Sequence, residues 1–315
     1  MVKYVLSVDG GGIRGIIPTI ILGEIQKRLI NLKKSLPEIF DLMVGTSTGG
    51  ILVAGLSKKN SQNKPEYSPI DLLQFYKNYG PYIFKPSFLR QKILYWFNGA
   101  KYSYRNIEFV LNKYFGEDTM GNASTNILFT SYDIHNNCPF FFKSWKDPGI
   151  ALKDALRSTT AAPTYFIPKC LRINEKNRVL VDGGIVSNNP SAVAYISAKE
   201  LFPNDDIVLL SIGTGKKIKN LNYADVKKFG KIGWIHPLIN VMFYSELAFV
   251  DYVLKQTIGD NYIRIQSELK LASNEMDNIT MKNIELLQEE SIQIVEDNKE
   301  LIERFCRVVC SNIVD

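Results

Sequence analysis

Within its first 57 residues the chain twice passes from a short apolar run through a glycine-rich turn into a helical pattern. Tyr4 to Val8 ends in Asp9-Gly10-Gly11-Gly12, and Phe40 to Val44 ends in Gly45-Thr46-Ser47-Thr48-Gly49-Gly50. After the first turn Ile17, Ile21, Ile25, Leu29 and Leu32 recur every three or four residues, with Glu24, Gln26, Lys27 and Arg28 between them. That spacing predicts an amphipathic helix. After the second turn a small-residue helix is expected through Leu56. Short runs that are apolar throughout read as buried strands. The order strand, turn, helix, strand, turn, helix predicts an α/β fold with a parallel sheet and right-handed crossovers.

The rest of the chain is compatible with one compact domain over residues 1–315, with no internal repeat or linker. Residues 58–68 are polar, contain Pro65 and read as a loop. The stretch 72–104 carries Phe75, Tyr76, Tyr79, Tyr82, Phe84, Phe88, Tyr95, Trp96, Phe97, Tyr102 and Tyr104. Such density suits a packed helical layer, or in part an acyl groove or a lipid contact. Ile127–Ser131 and Phe140–Lys143 flank Asn136-Asn137 and predict a hairpin. Val179–Val181 predicts a short strand running into Asp182-Gly183-Gly184. Asn188-Asn189-Pro190 then suits a helix opening, with Asn as the cap and Pro first inside. Ile207–Ile212 predicts a strand ending in Gly213-Thr214-Gly215. Ile284, Leu287, Ile294, Val295, Leu301, Ile302, Phe305 and Val308 predict a long C-terminal helix with a break in its middle.

Composition narrows the function classes. Thirty-eight Lys and Arg against thirty-two Asp and Glu give +6, a modest surplus that does not by itself argue for nucleic-acid binding. It is uneven: Lys216, Lys217, Lys219, Lys227, Lys228 and Lys231 share sixteen residues with one acid, Asp225. This reads as a solvated loop or helix face or, more sharply, as a patch for anionic headgroups. The four cysteines form no Cys-x-x-Cys pair, and there are only two histidines, so neither a disulfide framework nor a His-rich metal site is expected. The uncharged run Leu42–Ser57 is shorter than the roughly 20 residues a spanning helix needs. With no leader visible, the expectation is a cytoplasmic protein peripheral to membranes.

Gly45-Thr46-Ser47-Thr48-Gly49 fits the Gly-x-Ser-x-Gly nucleophile turn, in which a strained strand-to-helix junction pushes a serine hydroxyl outward. The helix that follows aims its free N–H groups at developing negative charge. The loop Asp9-Gly10-Gly11-Gly12-Ile13-Arg14-Gly15 has two readings. Gly10, Gly12 and Gly15 have dinucleotide spacing, but the second strand ends in Gly45-Thr46-Ser47 rather than in the acid a ribose needs. The favoured reading is an oxyanion hole beside Ser47. A serine at such a turn needs a base. His135 and His236 lack the strand-end context of a catalytic partner and read as structural or surface residues. Asp182, at a strand end and followed by two glycines, is the better candidate. Its carboxylate is a weak base at an ordinary pKa of about 3.9, and partial desolvation would raise it.

With these residues together, the chain resembles the patatin-like phospholipases. The matching pieces are Asp9–Gly15, Gly45–Gly50, Ala161-Ala162-Pro163-Thr164-Tyr165-Phe166, Asp182-Gly183-Gly184 and Ser211-Ile212-Gly213-Thr214-Gly215. Tyr79–Phe84 and Glu275-Met276-Asp277 are also similar to plant members, so the resemblance covers nearly the whole chain. It implies a three-layer α/β/α sandwich with a mainly parallel central sheet, and a Ser–Asp dyad without histidine. Matched motif by motif, the nucleophile falls on Ser47 and the base on Asp182. The oxyanion hole falls on Gly10, Gly11 and Gly12, with Arg14 beside it. The implied activity is calcium-independent hydrolysis of acyl lipids, with no cofactor, a phospholipid or other acyl-lipid substrate, a transient membrane surface as partner and no nucleic acid. The alternatives are a catalytically silent storage or interaction protein on the same scaffold, and a dinucleotide-binding enzyme using the Gly10-Gly12-Gly15 loop.

Overall fold

Both glycine-rich turns leave the same edge of one sheet. In the computed structural model, residues 1–86, 99–217 and 221–313 are described. Phe88, Tyr95, Trp96, Phe97 and Lys219 lie outside them, as do the side chains of Lys231 and His236. Strand β1 (Val2–Val8) runs into the Gly10–Gly12 loop and a 3-10 turn, and α1 (Ile16–Arg28) follows. The helical periodicity expected to Leu32 stops at Arg28. Ile30–Leu32 is a separate 3-10 turn closed by Lys33 at φ 52. Helix α2 (Leu36–Ile39) opens on a Ser35–Glu38 capping box and takes Phe40 as its C-cap, so β2 begins later than expected, at Leu42–Gly45. Helix α3 (Thr48–Ser57) is buried along its whole length, which explains its small residues.

Helices α4 (Pro69–Ile83) and α5 (Tyr104–Phe115) carry the described part of the aromatic stretch. Phe75 meets Tyr76 and Tyr114 edge-on at 5.4 and 4.9 Å, and Phe84 meets Tyr102 at 5.4 Å. Most of these rings pack on one another, and Tyr82 remains part exposed. The expected hairpin forms from β3 (Asn126–Asp133) and β4 (Cys138–Lys143), turning through Asn137 at φ 54. After α6 (Leu152–Thr159) comes a second hairpin, β5 (Lys169–Ile173) and β6 (Lys176–Asp182), with Asn174 and Glu175 both at positive φ. Strand β5 was not anticipated, and β6 is longer than Val179–Val181.

Helix α7 (Gly184–Ser187) leads to α8 (Ser191–Leu201), which opens one residue later than expected. Pro190 occupies the cap, and the Asn189 Oδ1 accepts the Ser191 N–H at 3.1 Å. Then come β7 (Asp206–Ile212), α9 (Tyr223–Val226), α10 (Lys231–Ile258) and β8 (Tyr262–Ile265). The C-terminal segment breaks at Asn298 into α11 (Met281–Asp297) and α12 (Lys299–Ile313).

The strand order is β5-β6-β3-β2-β1-β7-β8, with β4 also pairing β3. β1 is parallel to β2 and β7, β2 to β3, and β7 to β8. The β3–β4, β3–β6 and β5–β6 pairs are antiparallel. The sheet is thus parallel at its centre and antiparallel on one flank, which the strand–helix alternation near the N-terminus does not announce. Alternate side chains of a strand face opposite ways. Tyr4, Leu6 and Val8 pack toward the core shared with α1, α3 and α11, whereas Val5 joins Leu42, Val44 and Leu209 under α8 and α10. Helices therefore cover both faces of a mixed sheet.

Candidate active site

At the carboxyl end of β2 the backbone turns within two residues. Ser47 sits at φ 53, ψ -117, outside the regions a side chain with a β-carbon prefers. The turn closes because Gly49 lacks a β-carbon: one built there would fall 2.3 Å from the Val8 carbonyl oxygen. Neighbours brace the strained residue. The Ser47 N–H donates to Thr159 Oγ1 at 2.9 Å, and the Thr46 N–H donates to the Val8 carbonyl at 3.1 Å. The Thr46 hydroxyl donates to the Ser187 carbonyl at 2.6 Å and so takes its 2.7 Å bond with Thr130 as acceptor. On the next residue, Thr48 Oγ1 donates to the Tyr76 hydroxyl at 2.8 Å, and that hydroxyl donates to the Thr48 carbonyl at 2.9 Å.

Asp182 arrives from the antiparallel flank. It ends β6, opposite Ser131 of β3, and its N–H donates to the Ala161 carbonyl at 3.0 Å. Asp182 is 5% exposed, and its Oδ1 accepts the Gly184 N–H at 2.7 Å. Burial pushes its pKa up to about 6, against the opposing pull of the neighbouring Ser47 hydroxyl and the Gly184 amide. Among the described residues no Lys or Arg pairs with it. Thr130, Thr46 and Ser187 link β3, the Ser47 turn and the segment after Asp182. Ser47 and Asp182, 135 residues apart in the chain, are therefore held by one set of bonds.

The Gly10–Gly12 loop lies over the same turn. A β-carbon built on Gly10 would stand 3.5 Å from Ser47 Cβ. The three amides are not equivalent. The Gly10 N–H donates to the Asn188 carbonyl at 3.1 Å, whereas the Gly11 and Gly12 N–H groups donate to no protein group among the described residues. Gly12 is at φ +59, a conformation that favours glycine. The Gly10 carbonyl accepts from Thr214 Oγ1 at 2.7 Å, and the Ile13 N–H donates to the Met276 carbonyl at 2.9 Å. Arg14 is a brace for the loop. Its guanidinium donates to the Gly11 and Gly215 carbonyls and to Asn274 Oδ1 at 3.3, 2.9 and 2.8 Å.

Thr130, Thr159 and Ser187 escaped the sequence reading, and Thr46 and Asn188 entered it only as parts of a turn motif and a helix opening; each is an ordinary polar residue whose contacts come from where the sheet order puts it. His135 is exposed on the β3–β4 turn and bonds to neither Ser47 nor Asp182. Among the described residues no group of three His, Cys, Asp or Glu could hold a metal ion. A groove of about 660 Å³ runs between the C-terminal turn of α1, the start of α4 and α11, but neither Ser47 nor Asp182 lines it.

The sequence pattern of the family described as "Patatin-like phospholipase" matches residues 6–195. The chain is 31% identical to Patatin-like protein 2 of Arabidopsis thaliana, over 90% of this chain and 80% of that one. It is 32% identical to Patatin-05 of Solanum tuberosum, over 90% and 81%. Among solved structures, VipD from Legionella pneumophila aligns at 12% identity with a TM-score of 0.40, over 94% of this chain and 67% of that chain, and adds nothing to the assignment. The chain belongs to the patatin-like phospholipase family.

Proposed function

We propose that the protein is a lipid acyl hydrolase of the calcium-independent phospholipase A type, acting through an acyl-enzyme on Ser47. The observation that carries this reading is a buried carboxylate, without a Lys or Arg partner among the described residues, next to a serine on a strained turn. A carboxylate in that setting is a stronger base than an exposed one. The Ser47 proton passes to Asp182 as Oγ attacks the ester carbonyl. The Gly11 and Gly12 amides donate to the oxygen that becomes negative, where preorganised donors act most strongly. When the acyl–oxygen bond breaks, the proton on Asp182 goes to the departing alcohol, a lysolipid if the substrate is a phospholipid. Water then gives a proton to Asp182 and attacks the acyl-serine; as the bond to Oγ breaks and the fatty acid leaves, Asp182 returns that proton to Ser47.

Arg14 keeps the loop in place in this scheme, and Gly10 holds it to Asn188, so the two open amides do the donating. Ser47→Ala should lower fatty-acid release from phospholipid vesicles by roughly a thousandfold or more, with thermal unfolding unchanged. Parent protein should be labelled at Ser47 by a fluorophosphonate. Release that survives Ser47→Ala overturns the assignment. A parent that neither releases fatty acid nor takes the label would be a silent scaffold.

A further inference from the structure

Helix α10 packs against the segment that follows Asp182. Its inward face touches the site's own supports: Phe243 lies 3.5 Å from where a β-carbon on Gly184 would be, and Glu246 Oε2 accepts the Asn189 N–H at 3.3 Å. The Tyr244 hydroxyl donates to the Lys217 carbonyl at 2.8 Å and accepts from Asn274, which also holds Arg14. Val250 and Leu254 continue that face into the core.

The outward face is different. Trp234, Leu238, Val241, Met242, Phe249 and Tyr252 follow one another at helical spacing and are 37% to 67% exposed. The acids of α10 are Glu246 and Asp251, and both turn inward, Asp251 onto the Tyr262 hydroxyl at 2.6 Å. Five turns of helix thus present an apolar stripe without acidic groups. Lys227 and Lys228 are exposed just before its first turn, and Lys217 is exposed beside Tyr244 in its fourth turn. Among the described residues no helix is long and apolar enough to cross a membrane, so α10 has the character of a helix that lies in an interface plane.

We propose that the outer face of α10, with Lys227 and Lys228 at its start and Lys217 beside Tyr244, docks the protein on a bilayer containing anionic lipids. The proposal rests on the reading of the Ser47 site as one that takes acyl lipids. Two observations favour a bilayer over a second copy of the chain. The lysines complement anionic headgroups and would repel the same face of a copy. The opposite face of α10 meets Gly184 through Phe243, two residues from Asp182, so docking on the stripe would hold the lipid surface one helix away from the proposed site.

The test uses full-length protein carrying Ser47→Ala, so that binding is read without turnover. It is sedimented with vesicles of phosphatidylcholine alone or with about 30 mol% phosphatidylglycerol. Met242→Glu with Phe249→Glu should lower partitioning at least about tenfold on both vesicles, since each places a charge where the apolar stripe enters the interface. Lys227→Glu with Lys228→Glu should weaken binding by about fivefold per residue on the anionic vesicles only. Ile30→Glu, in the 3-10 turn that follows α1, should change nothing. Brominated lipid should quench tryptophan emission in the parent and less so in Trp234→Phe, a readout that holds even if the glutamate pair misfolds. Equal partitioning of parent and glutamate pair, or no quenching through Trp234, overturns the proposal. So does a parent dimer that the glutamate pair converts to monomer, because the stripe then belongs to a second copy. Lost hydrolysis with binding intact would remove only the enzymatic reading. Lost binding with cleavage of a dispersed short-chain ester intact would remove only the docking surface.

Discussion

Asp9 and Asp182 end two strands of the same sheet, flank the same serine turn and are both buried, yet their surroundings differ. Asp9 faces Arg264, which donates to its two oxygens at 2.8 and 2.5 Å and also reaches Ser211 at 2.7 Å. Burial works against the Arg264 charge, and Asp9 more than offsets it, so the guanidinium is held protonated. Asp182 has one backbone amide on Oδ1 and the Ser47 hydroxyl nearby, and no cation among the described residues. A buried charge is ordinarily paired. Asp9 follows that rule and ties β1 to β8. Asp182 departs from it. Burial raises both carboxyls, and at Asp9 it outweighs the pull of Arg264, so what separates the two acids is the partner rather than the direction of the shift. Both Asp9 oxygens are taken by the guanidinium, whereas among the described residues no cation holds Asp182.

The sharpest way to break the comparison is to neutralise each acid in turn. Asp182→Asn should lower fatty-acid release by roughly a thousandfold while the protein stays folded. Asp9→Asn should strand the buried Arg264 and destabilise the fold by about 3–5 kcal/mol, as read by urea unfolding. The Asp9→Asn protein that remains folded should still take a fluorophosphonate at Ser47. If Asp9→Asn proves stable and Asp182→Asn unfolds, the two roles have been exchanged.

Titration sharpens the difference further. With the Asp182 pKa pushed up to about 6 by burial, activity should fall about tenfold per pH unit below 6 and level off above it. Stability runs the other way. The folded state holds this proton more tightly than the unfolded chain does. Its contribution is therefore complete below the ordinary aspartate pKa and disappears as pH rises through about 6, a change of up to about 3 kcal/mol. Urea unfolding on either side of that window should show Asp182→Asn gaining on the parent only at the higher pH. The smallest effect expected is for His135→Gln. That exposed residue lies outside the bonded set, and the rate should stay within about twofold of the parent. A large loss there would bring histidine back as the base.

The sequence made part of this readable because some requirements are local. A tight strand-to-helix junction needs small residues on either side of the serine, so Gly45 to Gly50 announces Ser47. Asn136-Asn137 announces the β3–β4 hairpin, since a turn at positive φ favours those residues. The start of β2 was misread because Phe40 is apolar and adjoins the strand, while the capping box that draws it into α2 lies upstream at Ser35 and Glu38. Strand β5 went unseen because Lys169, Cys170, Leu171, Arg172 and Ile173 alternate weakly; the hairpin with β6 keeps them extended.

What the sequence alone determined was the α/β class, the two turns and the residue types able to do acyl chemistry. Local backbone geometry and short-range periodicity encode those directly. Only the tertiary structure decided which groups meet. Asp9 and Arg264 are 255 residues apart, and Thr46 and Thr130 are 84 apart. The strand order brings each pair together, and no spacing along the chain predicts it. Which of the Gly10, Gly11 and Gly12 amides is already bonded was decided the same way. The three residues are chemically identical, and the Asn188 carbonyl, supplied from across the sheet, occupies one amide and leaves two.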